Sequence, residues 1–143
     1  LLWLSTQFLA SIIVLIPVII VSEVYFNIRW DNIGLFVLCL AMIGDGFAEP
    51  IGARFGKIKY KTFALFTKKR YYRTIEGSLT VFIYSIFVIS IFSFLFTSNQ
   101  LFIAFFILPI KITLIEAFSP HTWDSPFLLG GAGIGTIGIL YYF

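Results

Sequence analysis

Two carboxylates and two cations lie within one short segment, GDGFAEPIGARFGK (residues 44–57), of an otherwise strongly apolar chain. Asp45 and Glu49 are four residues apart, so a helix would project both from one side. Such a pair can bind a hard cation such as Mg²⁺, which takes one or two carboxylates together with water and substrate phosphates. Pairing of both acids with Arg54 or Lys57 is the alternative, and the spacing by itself favours neither interpretation.

Small residues recur through the same segment. Ala48, Gly52 and Gly56 are spaced by four, a pattern that lets membrane helices approach closely. The lack of side chains would equally let backbone N–H groups reach a phosphate. The segment is not a Walker A site, because only three residues separate Gly52 from Gly56 and Ile58 stands where Ser or Thr should bind the metal.

The composition predicts a membrane environment for these groups. Of 143 residues, 59% are hydrophobic and 12% are charged, against about 45–50% apolar and about 25% charged in soluble domains. Apolar runs of about 20 residues are typical of membrane helices. The chain begins inside such a run, so we expect it to be truncated at its N-terminus. The runs predict an all-α, polytopic transmembrane bundle in one domain, with about five spans at residues 1–21, 33–48, 79–96, 101–118 and 127–143.

The distribution of charge predicts the orientation of the bundle. The connector 49–78 carries eight of the ten basic residues, and loops rich in Lys and Arg stay on the cytoplasmic side. Counting spans from that connector puts the connector 119–126 on the same side. We therefore expect a multi-pass integral membrane protein with loops 49–78 and 119–126 in the cytoplasm.

Counting the spans in this way places most of the acids at one membrane face. A carboxylate at such a boundary needs a cation or a metal as a partner. An ion-pair network does not need so many acids at one face, which favours a metal and phosphate site. The five acids are Asp45, Glu49, Glu76, Glu116 and Asp124.

Basic residues near these acids and glycines could neutralise phosphates. Arg54, Lys57 and Arg73 are candidates for clamping a nucleotide, where fixed positive charge offsets the charge of the transferring group. The trio at 68–70 is expected only to fix topology and contact anionic lipid heads.

Two further residues could carry chemistry. His121, the sole histidine, is a candidate general base for activating a hydroxyl, because histidine titrates near neutral pH. Asp124 competes for that role, and a loop hydrogen bond is an equal alternative for His121. Lys111 lies deep in a predicted span, which indicates a function unless it snorkels or pairs with an acid.

Taken together, these residues resemble a known family. Gly44-Asp45-Gly46, then GARFGK at 52–57, RTIEGS at 73–78 and an acid-bearing connector two spans later resemble the phytol kinases, dolichol kinases and related CTP-dependent lipid kinases. The resemblance covers residues 33–126. It implies a polytopic enzyme that moves the γ-phosphate of CTP to the hydroxyl of a long-chain isoprenoid or similar lipid, with Mg²⁺ or Mn²⁺. By position, Asp45 and Glu76 would belong to the metal and nucleotide site, and Lys57 and Arg73 to the phosphates.

The candidate site can be sorted by expected role. The metal ligands are Asp45, Glu49 and Glu76; the nucleotide-binding residues are Gly52, Arg54, Gly56, Lys57, Arg73 and Gly77; the catalytic residues are Glu116, His121 and Asp124. The expected partners are a nucleotide, a lipid alcohol and the bilayer, with no nucleic acid.

The chain also departs from the family pattern. Arg73 stands where the family usually has Lys, which keeps the charge but changes the geometry. The connector 57–73 is long, and SPHTWDSP at 119–126 differs from the dolichol kinase pattern. The acceptor alcohol and the nucleotide therefore stay open.

Other functions stay open as well. Nucleotidyl transfer like that of phosphatidate cytidylyltransferases is one, although their longer acidic and glycine-rich C-terminal signature is not found. An ion-coupled transporter, with Lys111 and Glu116 lining a pathway, is a second, although the ionisable groups cluster at one face rather than at the midplane. A structural or assembly subunit is a third.

Overall fold

A computed structural model describes residues 2–62, 71–120 and 123–143, without the side chains of 2–4 and 42–45. In this part of the chain, helices dominate and one pair of short strands accompanies them. A π-helical turn, Cys39–Ile43, joins helix α2 (Trp30–Leu38) to helix α3 (Gly44–Phe55), so Trp30–Phe55 is one continuous helical rod. The prediction of an all-α fold is confirmed. The elements are α1 (Leu2–Phe26), α2 (Trp30–Leu38), α3 (Gly44–Phe55), β1 (Lys59–Thr62), β2 (Tyr71–Thr74), α4 (Ile75–Ile91), α5 (Ser98–Phe118) and α6 (Asp124–Tyr142).

The helices have the length and composition of membrane helices. Within the described residues four can cross a membrane: Ser5–Phe26, Trp30–Phe55, Ser98–Phe118 and Asp124–Tyr142. Helix α4 is apolar as well, but it has only 17 residues. Large apolar side chains such as Ile83 and Ile134 are 60% and 68% exposed, as expected of surfaces that contact hydrocarbon. The chain is therefore a membrane protein.

The region predicted as the connector 49–78 begins as a helix. Helix α3 continues to Phe55, beyond the predicted end of the second span at residue 48. Glu49, Gly52 and Arg54 consequently lie on a helix rather than in a loop. Because α3 is helical from Gly44, Asp45 and Glu49 are separated by about one turn, as their spacing predicted.

The rest of that connector contains an antiparallel strand pair. Strands β1 and β2 pair from Lys59↔Thr74 to Thr62↔Tyr71, with Tyr60 opposite Arg73. Directly opposite residues lie on the same face of such a pair. Lys59 and Lys61 are exposed whereas Tyr60 and Thr62 are not, so the pair presents its lysines to solvent and its Tyr60–Arg73 face to the helices.

The helices pack side by side in the order α3, α4, α5, α6 and α1. Helix α2 packs against α1 and α6 and joins the two ends of this series through the short turn at 27–29. Among the described residues, α1 and α3 do not pack along each other. The bundle is therefore closed at the end that carries the 27–29 turn and open between α1 and α3 at the end that carries the strands.

The apolar core lies between α2, α5 and α6. Phe36, Leu108, Ile112 and Leu128 are fully buried there. The glycines of α6 let neighbouring helices approach: a Cβ at Gly131 would meet Ile115, and one at Gly133 would meet Val18.

A pair of glycine substitutions on α3 tests how closely α3 approaches α4. A Cβ at Gly52 would overlap Oγ1 of Thr74 at the start of α4, whereas a Cβ at Gly46 would enter open space. Gly52→Ala should lower the thermal unfolding midpoint in detergent, because overpacking costs about 1–3 kcal/mol. Gly46→Ala should keep or raise it, since alanine favours a helix by about 1 kcal/mol over glycine. Equal midpoints for the two variants would contradict this packing.

Candidate functional site

The guanidinium of Arg73 joins the ends of two helices. Its Nη1 donates to the side chain and to the backbone carbonyl of Glu116, and its Nη2 donates to Oδ2 of Asp124 at 2.6 Å. All three side chains are largely buried, with exposed fractions of 9%, 6% and 11%. A buried charge is tolerated only when it is paired and hydrogen-bonded. Strand β2 is thereby tied to the connection between α5 and α6.

The positions of these groups along their helices favour the arrangement. Glu116 is in the last turn of α5, whose final carbonyls lack helical partners, and Arg73 binds one of them. Asp124 opens α6, where a negative charge is stabilised by the helix dipole. Ser119, between the two acids, donates to Oδ1 of Asp124 at 3.0 Å. The sequence thus predicted both acids at one place, and their partner there is Arg73.

A hydrogen-bonded chain approaches Glu116 from the other side. Ser78 Oγ donates to Oε2 of Glu116 at 2.8 Å and lies 2.7 Å from the hydroxyl of Tyr60. Because the single proton of Ser78 goes to the carboxylate, Tyr60 is the donor to Ser78. Burial raises the pKa of Tyr60, and the charge of Glu116 adds to the effect. Tyr60 therefore stays protonated at neutral pH and holds β1 against α4.

Glu76 binds backbone rather than another side chain. Its Oε1 accepts from the N–H of Lys57 at 2.9 Å and from that of Ile58 at 3.4 Å. These amides directly follow Gly56, the last of the three small residues spaced by four. The carboxylate of Glu76 therefore occupies the place of an anion in this turn and fixes the exit from α3.

The predicted nucleotide-binding glycines lie at one close helix contact. A Cβ at Gly77 would lie 2.9 Å from the carbonyl of Ala48, and Cβ atoms at Gly52 and Gly56 would overlap Thr74. Thr74 caps α4 through its side chain, which accepts from the N–H of Gly77. The spacing of small residues thus serves the contact between α3 and α4, which is one of its two predicted uses.

A cavity of about 790 Å³ occupies the open end of the bundle. Its volume is within the usual range for small-molecule sites, about 300–1,000 Å³. Walls come from α1, α3, both strands and the adjoining ends of α4, α5 and α6. Of the predicted site residues, it is lined by Glu49, Gly52, Gly56, Arg73, Gly77, Glu116 and Asp124. One cavity thus collects predicted residues from four helices and a strand.

Other predicted residues lie elsewhere. Arg54 and Lys57 are exposed and are not among the residues that line the cavity. Glu76 faces the turn described above. His121 and the basic trio at 68–70 lie outside the described residues, as does the side chain of Asp45. Lys111 is half-buried beside Gly135 of α6, away from the cavity.

The acids differ in their availability for a metal. Among the side chains that the structure describes, no three acids, histidines or cysteines are grouped closely enough to hold an ion. The expected gathering of five acids is therefore not found for the four described ones, because Arg73 takes Glu116 and Asp124 and a backbone turn takes Glu76. Glu49 is exposed on the cavity wall and has no protein partner among the described residues. Glu49 and its neighbour Asp45 stay the predicted metal ligands.

Several residues of the site were not predicted from the sequence. Tyr60, Ser78 and Ser119 complete the buried network, and Lys59 and Gln7 line the cavity. The alternation of KYKT, together with the strand-favouring tyrosines and threonine of YYRT, was the available signal for the strands. It was hidden by the high lysine content, which favoured a solvated loop.

Removal of the buried guanidinium should be costly. We expect Arg73→Gln to destabilise the fold by about 3–5 kcal/mol, because two buried carboxylates lose their cation. The stability of the Arg73→Lys variant should lie between that of Arg73→Gln and that of the unmodified chain, because an ammonium cannot reproduce the planar, two-pronged geometry of the guanidinium. Arg54→Gln, on an exposed arginine, is the matched control and should change stability by less than about 0.5 kcal/mol. Denaturant titration in detergent measures all three, and equal losses at Arg73 and Arg54 would contradict the network.

Loss of the Tyr60 hydroxyl should loosen the strands. Tyr60→Phe should reduce stability by about 1 kcal/mol, the usual net value of a hydrogen bond. Tyr72→Phe is the matched control, because that ring is 60% exposed. Limited proteolysis between β1 and β2 provides a local readout. Faster cleavage of the Tyr60 variant alone is expected; identical digestion of both would show that the contact with Ser78 does not hold β1.

Comparisons of this chain with protein-family models, with curated proteins and with solved structures found no match. The functional assignment therefore rests on the chemistry of the cavity and of the residues around it.

Proposed function

We propose that this chain is a membrane phosphotransferase that moves the γ-phosphate of a nucleotide, CTP by family resemblance, to the hydroxyl of an isoprenoid or related lipid alcohol. The observation that carries the proposal is the cavity at the open end of the bundle. It combines carboxylates, cations and bare glycine backbone at the ends of apolar helices. Phosphoryl transfer needs mainly positioning and charge stabilisation, which these groups can supply.

The balance of charge around the cavity favours a cationic ligand. Arg73 and Lys59 contribute two positive charges to the lining, and Glu49, Glu116 and Asp124 contribute three negative ones. A lining of this kind favours a bound divalent cation, which would also offset part of the negative charge of the nucleotide phosphates. Glu49, with Asp45 one turn earlier on α3, would hold such an ion through one or two carboxylates. The ion would supply charge neutralisation between phosphate oxygens.

The remaining groups divide the work between support and contact. Arg73 is held in place by Glu116 and Asp124, so its positive charge is pre-organised at the cavity wall. Lys59 is exposed there and can reach toward phosphate. A carboxylate next to the acceptor hydroxyl would serve as the general base, and Asp124 and Glu116 are the candidates among the described residues.

The location suits a reaction between a soluble and an oily substrate. The cavity lies beside the strand pair, which exposes Lys59 and Lys61. Segments rich in lysine and arginine remain in the cytoplasm. In the proposed orientation a charged nucleotide therefore arrives from the cytoplasm, and the multi-pass bundle holds the lipid in the bilayer.

Position-specific labelling separates this function from nucleotidyl transfer. Purified protein in liposomes should be incubated with Mg²⁺, CTP labelled in either the γ- or the α-phosphate, and an isoprenoid alcohol, diacylglycerol or phosphatidate as acceptor. Label transferred to an alcohol from γ-labelled CTP alone supports phosphotransfer. Label transferred to phosphatidate from α-labelled CTP indicates nucleotidyl transfer, and no labelled lipid with any acceptor, from CTP or from ATP, rejects both. A transporter would instead move an ion or solute across the liposome.

Two acid substitutions on α3 test the metal-binding role. Asp45→Asn and Glu49→Gln should each reduce γ-phosphate transfer by about 100-fold, comparable to loss of one charge-stabilising group. The thermal midpoint should be unchanged for Glu49→Gln, because that side chain is exposed. Glu23→Gln, an exposed acid near the closed end of the bundle, is the matched control. Full activity in either α3 variant would remove that residue from the proposed site.

A further inference from the structure

The cavity is bordered by two helices, α1 and α3, that do not pack along each other within the described residues. Helix α3 packs along α4, and α1 packs along α6, but the described parts of α1 and α3 do not pack along each other. Residues from both helices nevertheless line the same cavity: Gln7 from α1, and Glu49 and Ala53 from α3. The cavity is therefore bounded by both arms of the open bundle and reaches the gap between them.

Both helices that border the gap also carry exposed apolar side chains. Phe8 and Leu9, which follow Gln7 on α1, are 67% and 57% exposed, and Phe55 at the end of α3 is 64% exposed. Such large apolar side chains are stable at this level of exposure when they contact hydrocarbon rather than water. Gln7 and Glu49 are the polar residues on the cavity side of the same helices. Two residues along an α-helix correspond to about 200°, so Leu9 lies on the face of α1 opposite Gln7, and Phe55 on the face of α3 opposite Ala53. Both helices thus present polar residues to the cavity and apolar residues to their surroundings.

The position of the gap along α3 also matches the depth at which lipid headgroups lie in a membrane. Ala48, Glu49, Gly52 and Ala53 line the cavity within the last two turns of α3. At a rise of 1.5 Å per residue, this segment begins about 10 Å from the end of the helix. The exposed lysines of β1 follow directly. The opening therefore lies just inside the apolar boundary, where the polar end of a membrane lipid resides.

From these observations we propose that the gap between α1 and α3 is a lateral entrance through which a membrane lipid with a hydroxyl or similarly polar end reaches the cavity. The polar end passes Gln7 and Ala53, while the apolar chain stays in the hydrocarbon beside the two helices. Ala53 keeps the passage open because its side chain is small. This entrance deepens the proposed function and rests on it for the identity of the acceptor, but lipid binding can be measured without any transfer reaction.

Cysteine protection tests the entrance directly. In a Cys39→Ala background, which removes the sole cysteine, Gln7→Cys and Ala53→Cys are each reconstituted into liposomes. Each variant is then treated with an alkyl maleimide that partitions into the bilayer or with a charged maleimide that stays in water. Geranylgeraniol serves as the lipid alcohol. Ile83→Cys is the matched control, because Ile83 is 60% exposed on α4 and does not line the cavity.

The expected result is selective protection. All three cysteines should react with the bilayer-soluble maleimide. Geranylgeraniol at about ten times its dissociation constant should slow the reaction of the Gln7 and Ala53 variants about tenfold, and leave the Ile83 variant unchanged. The proposal would be overturned if the Gln7 and Ala53 variants reacted only with the charged maleimide or did not react at all. It would also be overturned if geranylgeraniol gave them no protection, or protected the Ile83 variant equally.

The outcome separates the entrance from the transfer reaction. Selective protection without labelled product in the CTP assay would support the lipid entrance and reject phosphotransfer. Labelled product without protection would support phosphotransfer and reject this route to the cavity.

A pair of substitutions at Ala53 adds a kinetic check: Ala53→Ser keeps the passage open, and Ala53→Trp fills it. The tryptophan variant alone should raise the KM for the alcohol and leave the KM for CTP unchanged.

Discussion

The pairing of Arg73 with Glu116 and Asp124 is the interaction on which the open end of the bundle depends. Three ionised groups have been removed from water at the boundary of an apolar bundle, and each is tolerable only while the others remain in place. The pairing fixes β2 against the connection between α5 and α6. It also places the cation at a helix C-terminus and an acid at a helix N-terminus, where the helix dipoles favour them.

The neighbours of Arg73 along the chain extend this constraint. Within residues 73–78, Thr74 caps α4, Glu76 binds the amides that follow α3, Gly77 admits the backbone of α3, and Ser78 joins Tyr60 to Glu116. A single short segment therefore aligns two strands and three helices. The consequence for function is a rigid wall on one side of the cavity, with its charged groups already oriented before any ligand arrives.

The opposite side of the cavity is built differently. Among the described residues, α3 contacts α4 but does not pack along α1, and both α1 and α3 carry exposed apolar side chains. Glu49 lies on this less constrained wall, whereas Glu116 and Asp124 lie on the rigid one. The proposed reaction uses this asymmetry: fixed charge holds the phosphates, and the open side admits the lipid. Glu76, which the family resemblance assigned to the metal and nucleotide site, binds the exit from α3 through one of its carboxylate oxygens.

The sequence by itself determined the properties that follow from local pattern. Long apolar runs predicted membrane helices, because a helix in hydrocarbon must satisfy its backbone internally and cover itself with apolar side chains. The small-residue spacing on α3 predicted a close helix contact, and span parity predicted that the acids of residues 116–124 lie near the segment 44–78. Tertiary structure alone decided which charges neutralise one another. Arg73 is 43 and 51 residues from its two partners, so only the docking of β2 on α5 and α6 brings them together. Tertiary structure also decided that α1 and α3 border a cavity rather than pack on each other. The packing of helices that are distant in the sequence depends on how their surfaces fit, and local residue spacing does not encode that fit.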